Sequence, residues 1–219
     1  VNGINKKVKY FYPIPSQINL VANSSTQDLS AFNELFNKNR ISEPIQIETY
    51  ENDELLSRQK KTYFQFSNNP DKVYPNKMFS SKGAGQLELQ SEIISYDENG
   101  NPREVLQNNG TKVVYIWNAN RQPIFKIVNA TYQEWLDATA STPGTGLEEP
   151  ELPNTSTNWN PYSAMLPKAQ ITFYGYNPIN KQISFVVDPK GDKITYHYDI
   201  FNRLEFIKDR NGNIISENK

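Results

Sequence analysis

Four short turn signals recur at nearly equal intervals in the last quarter of the chain: Asn177-Pro-Ile-Asn180, Asp188-Pro-Lys-Gly191, Asp199-Ile-Phe-Asn202 and Asp209-Arg-Asn-Gly212. Their starts lie 11, 11 and 10 residues apart. Each begins with Asp or Asn and ends three residues later on Gly or Asn. A type I turn asks for this: a short polar side chain first to hold the backbone, Pro accepted second, Gly fourth. The fourth position is expected to take positive φ, which Gly adopts freely and Asn tolerates. Between the turns lie stretches rich in Tyr, Phe, Ile and Val, each long enough for one strand. The pattern is a β-meander written as a repeat.

The same rhythm occurs earlier, at Asp97-Glu-Asn-Gly100, Gln107-Asn-Asn-Gly110 and Asn118-Ala-Asn-Arg121, with starts 10 and 11 residues apart. Asn129 is the next beat, but there the pattern turns helical. A single repeat cannot bury its own apolar face, so neighbours must stack. The organisation predicted is an N-terminal β region over 1–95 with one short helix at about 28–38, and a first repeat block over 96–129. A helix plus Pro/Thr-rich loop over 130–165 and a second repeat block over 166–219 complete it. These read as one continuous module cut from a longer chain. The fold class expected is all-β, mainly antiparallel hairpins in a curved or spiralling sheet, with two short helices.

The first helix is read from Leu29, Phe32, Leu35 and Phe36, with Asp28 near its start and Asn39 past its end. The second opens on Thr131-x-x-Glu134, a capping box in which each side chain satisfies the other residue's amide. Tyr132, Trp135 and Leu136 give it an apolar face. Helices this short do not hold in water alone and must pack on a sheet. Trp135 is read as core, with a ligand platform as the alternative. The stretch Thr142 to Asn160 is polar and proline-rich, with too few apolar side chains for a core, and reads as a surface loop rejoining the fold near Trp159 and Tyr162.

Chemistry is scarce. There are 23 basic and 24 acidic residues, so the net charge of −1 favours neither nucleic acid nor an anionic membrane. Lys6-Lys7-Lys9 and Lys60-Lys61 are the only basic clusters and read as solvated faces. The chain has no cysteine, which removes disulfides, zinc ribbons and thiol catalysis. No apolar run approaches the roughly 18 residues of a membrane helix. His197 is the only histidine, and strand alternation sets it beside Lys193 and Thr195, on a solvent-facing side opposite Ile194, Tyr196 and Tyr198. No Gly-x-Ser-x-Gly elbow or phosphate-binding Gly loop is present, and Gly83-Ala-Gly85 lacks a following Lys-Ser/Thr. Asp97, Asp188, Asp199 and Asp209 invite a calcium or acid-pair reading, yet each opens a turn whose amides already use its oxygen. No catalytic, metal or cofactor residue is assigned. Asn23, Asn109, Asn129 and Asn154 match glycosylation acceptors, for which chance suffices in a chain with 27 Asn.

Aromatic residues supply the one binding hypothesis. Phe173, Tyr174 and Tyr176, Tyr196 and Tyr198, and Tyr63, Phe64 and Phe66 lie along strands, where one face is core. Rings exposed on the opposite face would stack on sugars or dock a protein strand.

Tyr198-Asp199-x-x-Asn202-Arg203-Leu204, followed by Asp209-x-x-Gly212-Asn213, resembles the YD repeat of Rhs and related proteins. Their unit reads Tyr-Asp-x-x-Gly-Arg-Leu and then Asp-x-x-Gly-Asn. Tyr96-Asp97-x-x-Gly100-Asn101 is similar to a second opening, and Asn202 replaces the usual Gly. Together with Tyr115-Ile-Trp117, Pro123 to Ile127, Asn129 to Tyr132 and Leu166 to Ala169, the arrangement resembles divergent YD-repeat regions of large Bacteroidota surface proteins. The resemblance implies a non-catalytic shell or scaffold segment of an exported or cell-surface protein, delivered by a type IX secretion route. Its implied partners are other repeats of the parent chain or neighbouring surface and secretion proteins. Two alternatives stand: a carbohydrate- or protein-binding adhesin module, and the cage of a polymorphic toxin with its toxic domain beyond Lys219. Some Rhs cages end in an aspartyl self-cleaving region containing Asp-Pro-x-Gly. Here Asp188-Pro-x-Gly191 is followed by another ordinary repeat, and it reads as a turn.

Overall fold

The computed structural model describes residues 4–66, 69–140 and 164–218. The expected surface loop over 142–160, with Asn154, Trp159 and Tyr162, lies outside the described residues. Among the described residues thirteen strands follow in chain order: β1 (Lys6–Phe11), β2 (Gln46–Glu51), β3 (Glu54–Phe66), β4 (Asn69–Lys82), β5 (Glu88–Tyr96), β6 (Pro102–Gln107) and β7 (Lys112–Trp117). They continue as β8 (Pro123–Val128), β9 (Gln170–Tyr176), β10 (Ile183–Val187), β11 (Lys193–Tyr198), β12 (Leu204–Lys208) and β13 (Ile214–Glu217). Strand order in the sheet is the order in the chain, so the meander is open. The expected all-β antiparallel class is the one observed. Among the described residues there are three helices, α1 (Pro15–Ile18), α2 (Thr26–Asn37) and α3 (Tyr132–Ala140), one more than predicted. The extra one is a single turn opened by Pro15, whose fixed φ suits a first helical position. A four-residue turn has no periodicity to detect.

Two compact units divide the chain: Val1–Ile94 with Leu106–Gly110, and Ser95–Val105 with Thr111–Lys219. In the first, α2 begins at a reciprocal capping box. Ser25 Oγ accepts from the Asp28 amide at 3.1 Å, and Asp28 Oδ2 accepts from the Ser25 amide at 3.0 Å. It ends in a Schellman arrangement around Asn39 at φ +56°. There the Asn39 amide donates to Phe36 O and the Arg40 amide to Leu35 O. Ala31, Phe32 and Leu35 are buried with Ile18, Val21, Ile45, Tyr63 and Val73, whereas Phe36 is turned outward.

Beside this core lies a polar network that the sequence did not announce. Lys60, predicted to be solvated, is only 4% exposed. Its Nζ donates to Asn23 O at 2.8 Å and to Asp28 Oδ2 at 3.1 Å, tying β3 to the start of α2. Gln46 Oε1 accepts from the Ala22 amide, and its Nε2 donates to Glu48 Oε1. Arg58 Nε and the Tyr50 hydroxyl donate to the same Glu48 carboxylate. Burial is the largest single influence on Glu48 and pushes its pKa up, but Tyr50, Arg58 and Lys9 together outweigh it and hold the carboxyl below its ordinary value. Lys6, Lys7 and Lys9 are exposed, as predicted.

The second unit builds its core from Val114, Ile116, Ile124, Phe125, Ile127 and Ile171 under α3. Trp135 is 3% exposed and packs with its ring tilted 47° at 5.1 Å from that of Phe125, which lies 5.0 Å from Phe173, so the helix closes over β8 and β9. The expected capping box is present: Glu134 Oε2 accepts from the Thr131 amide at 2.7 Å, and Thr131 Oγ1 accepts from the Glu134 amide at 3.1 Å. A second carboxylate joins it, as Glu104 Oε2 on β6 accepts from the Tyr132 amide at 3.0 Å. Both negative groups sit where the helix presents unsatisfied N–H groups. Asn129, at φ +64°, makes the turn out of β8.

Candidate functional site

The repeated turns hold nearly all the polar side chains that the sequence singled out, so they form the candidate site. At Asp97, Gln107, Asn118, Asp188, Asp199 and Asp209 the carbonyl of the first residue accepts from the amide three residues on, at 2.9–3.1 Å. The fourth residue is left-handed every time: Gly100, Gly110, Arg121, Gly191, Asn202 and Gly212 have φ between +61° and +88°. At Asp97, Asn118, Asp188, Asp199 and Asp209 the first residue's amide also donates to the carbonyl four residues on. This is a type I turn followed by a left-handed bulge, a three-residue hairpin loop.

At Asp188, Asp199 and Asp209 the predicted use of the carboxylate is what the geometry shows, with one bond more. Asp188 Oδ1 accepts from the Lys190 amide at 2.8 Å and from the Asp192 amide at 2.9 Å. Asp199 holds Phe201 and Arg203 in the same way, Asp209 holds Asn211 and Asn213, and Asn118 holds Asn120 and Gln122. At Asp97 the bond to the Asn101 amide is 2.8 Å. The second carboxylate oxygen is used too. Asn101 and Asn213 donate side-chain amides to Asp97 and Asp209, and Arg203 pairs with Asp199. Asp199 is held below its ordinary pKa first by the Arg203 amide, and Asp209 first by the Asn213 side chain.

The turn at Asn177 corrects the prediction. Asn180 was expected to be the left-handed residue, but Lys181 is, at φ +61°. The Lys181 amide donates to Asn177 O, and the Asn177 amide to Gln182 O, so the loop is one residue longer. Asn180 is freed to accept from the Gln182 amide and to donate its side chain to Asn202 Oδ1 at 2.8 Å.

A ladder between turns escaped the sequence reading. The residue after the left-handed position reaches the next turn at the same end of the strands and donates to the carbonyl of its left-handed residue. Gln122 Nε2 donates to Lys181 O at 2.5 Å, and Gln182 Nε2 to Asn202 O at 2.6 Å. At the other end, Arg210 Nη1 meets Asp192 Oδ1 at 2.7 Å. The available signal was glutamine recurring directly after a left-handed position.

The remaining candidates have packing roles. His197, expected to face solvent, is half-buried with its ring stacked 4.5 Å from Phe206 on β12. Trp135 is core. The tyrosines of β9 and β11 are half-buried, and burial first, then their neighbours, pushes Tyr174, Tyr176 and Tyr198 above their ordinary pKa.

No protein-family model and no curated protein matches the chain. Among solved structures it is similar to the crystal structure of TcdB2-TccC3, with a TM-score of 0.39 and 9% identity over 86% of this chain and 10% of that one. It is also similar to the Photorhabdus luminescens Tc holotoxin pore, with a TM-score of 0.42 and 11% identity over the same shares. The chain spans about a tenth of the length of those chains.

Proposed function

We propose that this chain is a non-catalytic structural segment of a larger YD-repeat (Rhs-like) protein, exported or held at the cell surface. The observation that supports this reading is how the turn side chains are used. Asp97, Asp188, Asp199 and Asp209 accept from their own turn's backbone, and Gln122, Gln182 and Arg210 link one turn to another. Groups committed to holding backbone are poorly placed to move protons or bind ions. A sheet edge stitched turn to turn suits a wall whose task is shape. The partners this reading assigns are other repeats of the same parent chain. The finer proposal, from the YD-like motif alone, is a Bacteroidota surface protein exported by a type IX route.

The test is a hydrolase screen on the purified chain, with Asp97→Ala and Asp188→Ala variants alongside. The expected result is no turnover, with both variants losing thermal stability. Turnover abolished by either substitution at an unchanged melting temperature would sink the scaffold reading.

A further inference from the structure

We propose that a cleft at one end of the second unit's strands binds a neutral oligosaccharide. It is about 520 Å³ and lies among the turns that start at Asp97, Asn118 and Asn177. That volume is within the range of small-ligand sites. Trp117 and Tyr176 contribute two rings to its lining. Both are anchored by their polar ends: Trp117 Nε1 donates to Pro102 O at 2.7 Å, and the Tyr176 hydroxyl donates to Pro123 O at 2.9 Å. With the polar tips used on main chain, what each ring has left to offer a ligand is apolar surface. The C–H face of a pyranose stacks on such a surface.

The rim supplies the complementary half. Asn99 and Asn120 line the cleft from exposed positions. Each carboxamide offers donors and an acceptor, the pair that vicinal hydroxyls require. The charged lining residues are Glu98 and Lys181, one of each sign, so the cleft does not select a polyanion. The turns are already closed by their own hydrogen bonds, and binding therefore costs little ordering of the backbone. Glycoside hydrolysis ordinarily takes a pair of carboxylates, and the lining offers Glu98 without a second one, so the predicted chemistry is retention without cleavage. The site depends on three turns of this chain and stands whether or not the sheet belongs to a larger wall.

The experiment is amide and indole NMR titration of the whole chain with cellohexaose, xylohexaose, maltohexaose and mannohexaose at millimolar concentration, with a single-stranded oligonucleotide as a charged stacking control. At least one oligosaccharide should shift the Trp117 indole signal together with Asn99, Asn120 and Lys181. The double substitution Asn99→Ala with Asn120→Ala, at exposed positions, should weaken that binding about tenfold and leave the melting temperature unchanged. No shift with any of the four sugars overturns the proposal. So do shifts confined to other residues, unchanged affinity in the double variant, or binding of the oligonucleotide alone.

Discussion

At the residue scale, the chain depends on a few backbone positions that most side chains avoid. Gly212 sits at φ +84°, and a Cβ built there meets nothing within 4 Å. The Cβ itself has open space, so the cost of Gly212→Val is expected to be chiefly backbone strain. We expect a loss of about 1–2 kcal/mol, read from chemical denaturation. Asn202, at φ +61°, already carries part of this strain; Asn202→Gly relieves it but gives up the bond from the Asn180 side chain, so the two effects should nearly cancel. If Gly212→Val proves harmless, the bulged turn is not the element that the repeat protects. The aspartates make a second prediction. Asp199 and Asp209 are held below the ordinary carboxylate value of 3.8. Their folded pKa is depressed, so their contribution is present above that value and lost as pH falls through the folded one. Asn118 makes the same two backbone bonds without a charge. Asp209→Asn should thus keep the turn at neutral pH and flatten the acid limb of a melting-temperature profile. An unchanged acid limb would show that this carboxylate does not contribute to it.

At the element scale, the hairpins survive on pairing and edge contacts more than on burial. Beyond Val187 no described residue is buried, yet β11 to β13 remain paired strand to strand. The contrast is β9, where Ile171, Phe173 and Gly175 alternate as its buried side. Gly175 is opposite Phe185, and a Cβ built there would lie 2.0 Å from the Phe185 ring. That ring lies 5.6 Å from Phe173, part of the core, so it has little room to retreat. Gly175→Ala should cost about 1–3 kcal/mol by overpacking, measured by denaturant unfolding. The compensating double variant Gly175→Ala with Phe185→Leu should recover part of the loss. If the single variant is neutral, the ring moves more freely than its neighbours suggest.

At the scale of the whole molecule, each unit has its own apolar cluster closed by a helix: α2 over one, α3 over the other. Local stability follows buried contacts, and amide exchange reports it. In the second unit the slowest amides should lie in β7, β8 and β9, and the fastest strand amides in β13, where all four residues are exposed. In the first unit, protection should be greatest in β3 near Lys60 and Tyr63, beside α2. Uniform protection across β7 to β13 would mean that turn and ladder bonds stabilise the sheet as strongly as the core does.

The amino-acid sequence by itself determined what is local. Turn positions, the left-handed residues at Gly100, Gly191, Asn202 and Gly212, and the strands between them were legible because Asx bonds and φ preferences span no more than four residues. The capping box of α3 and the Asn39 end of α2 were legible for the same reason, whereas the Ser25 cap that opens α2 escaped the sequence reading. Only the tertiary structure decided the rest. The Gln122–Lys181 bond spans 59 residues and the Lys60–Asp28 pair spans 32; a glutamine after a left-handed position marks a donor for the first, but no neighbouring residue names the partner of either. The stacking of His197 on Phe206 needed the register of β11 against β12. The longer turn at Asn177 comes with another such bond, from the Asn180 side chain to Asn202, 22 residues away. Conformational preference is written residue by residue, whereas a hydrogen bond between turns exists only once the strands have placed them side by side.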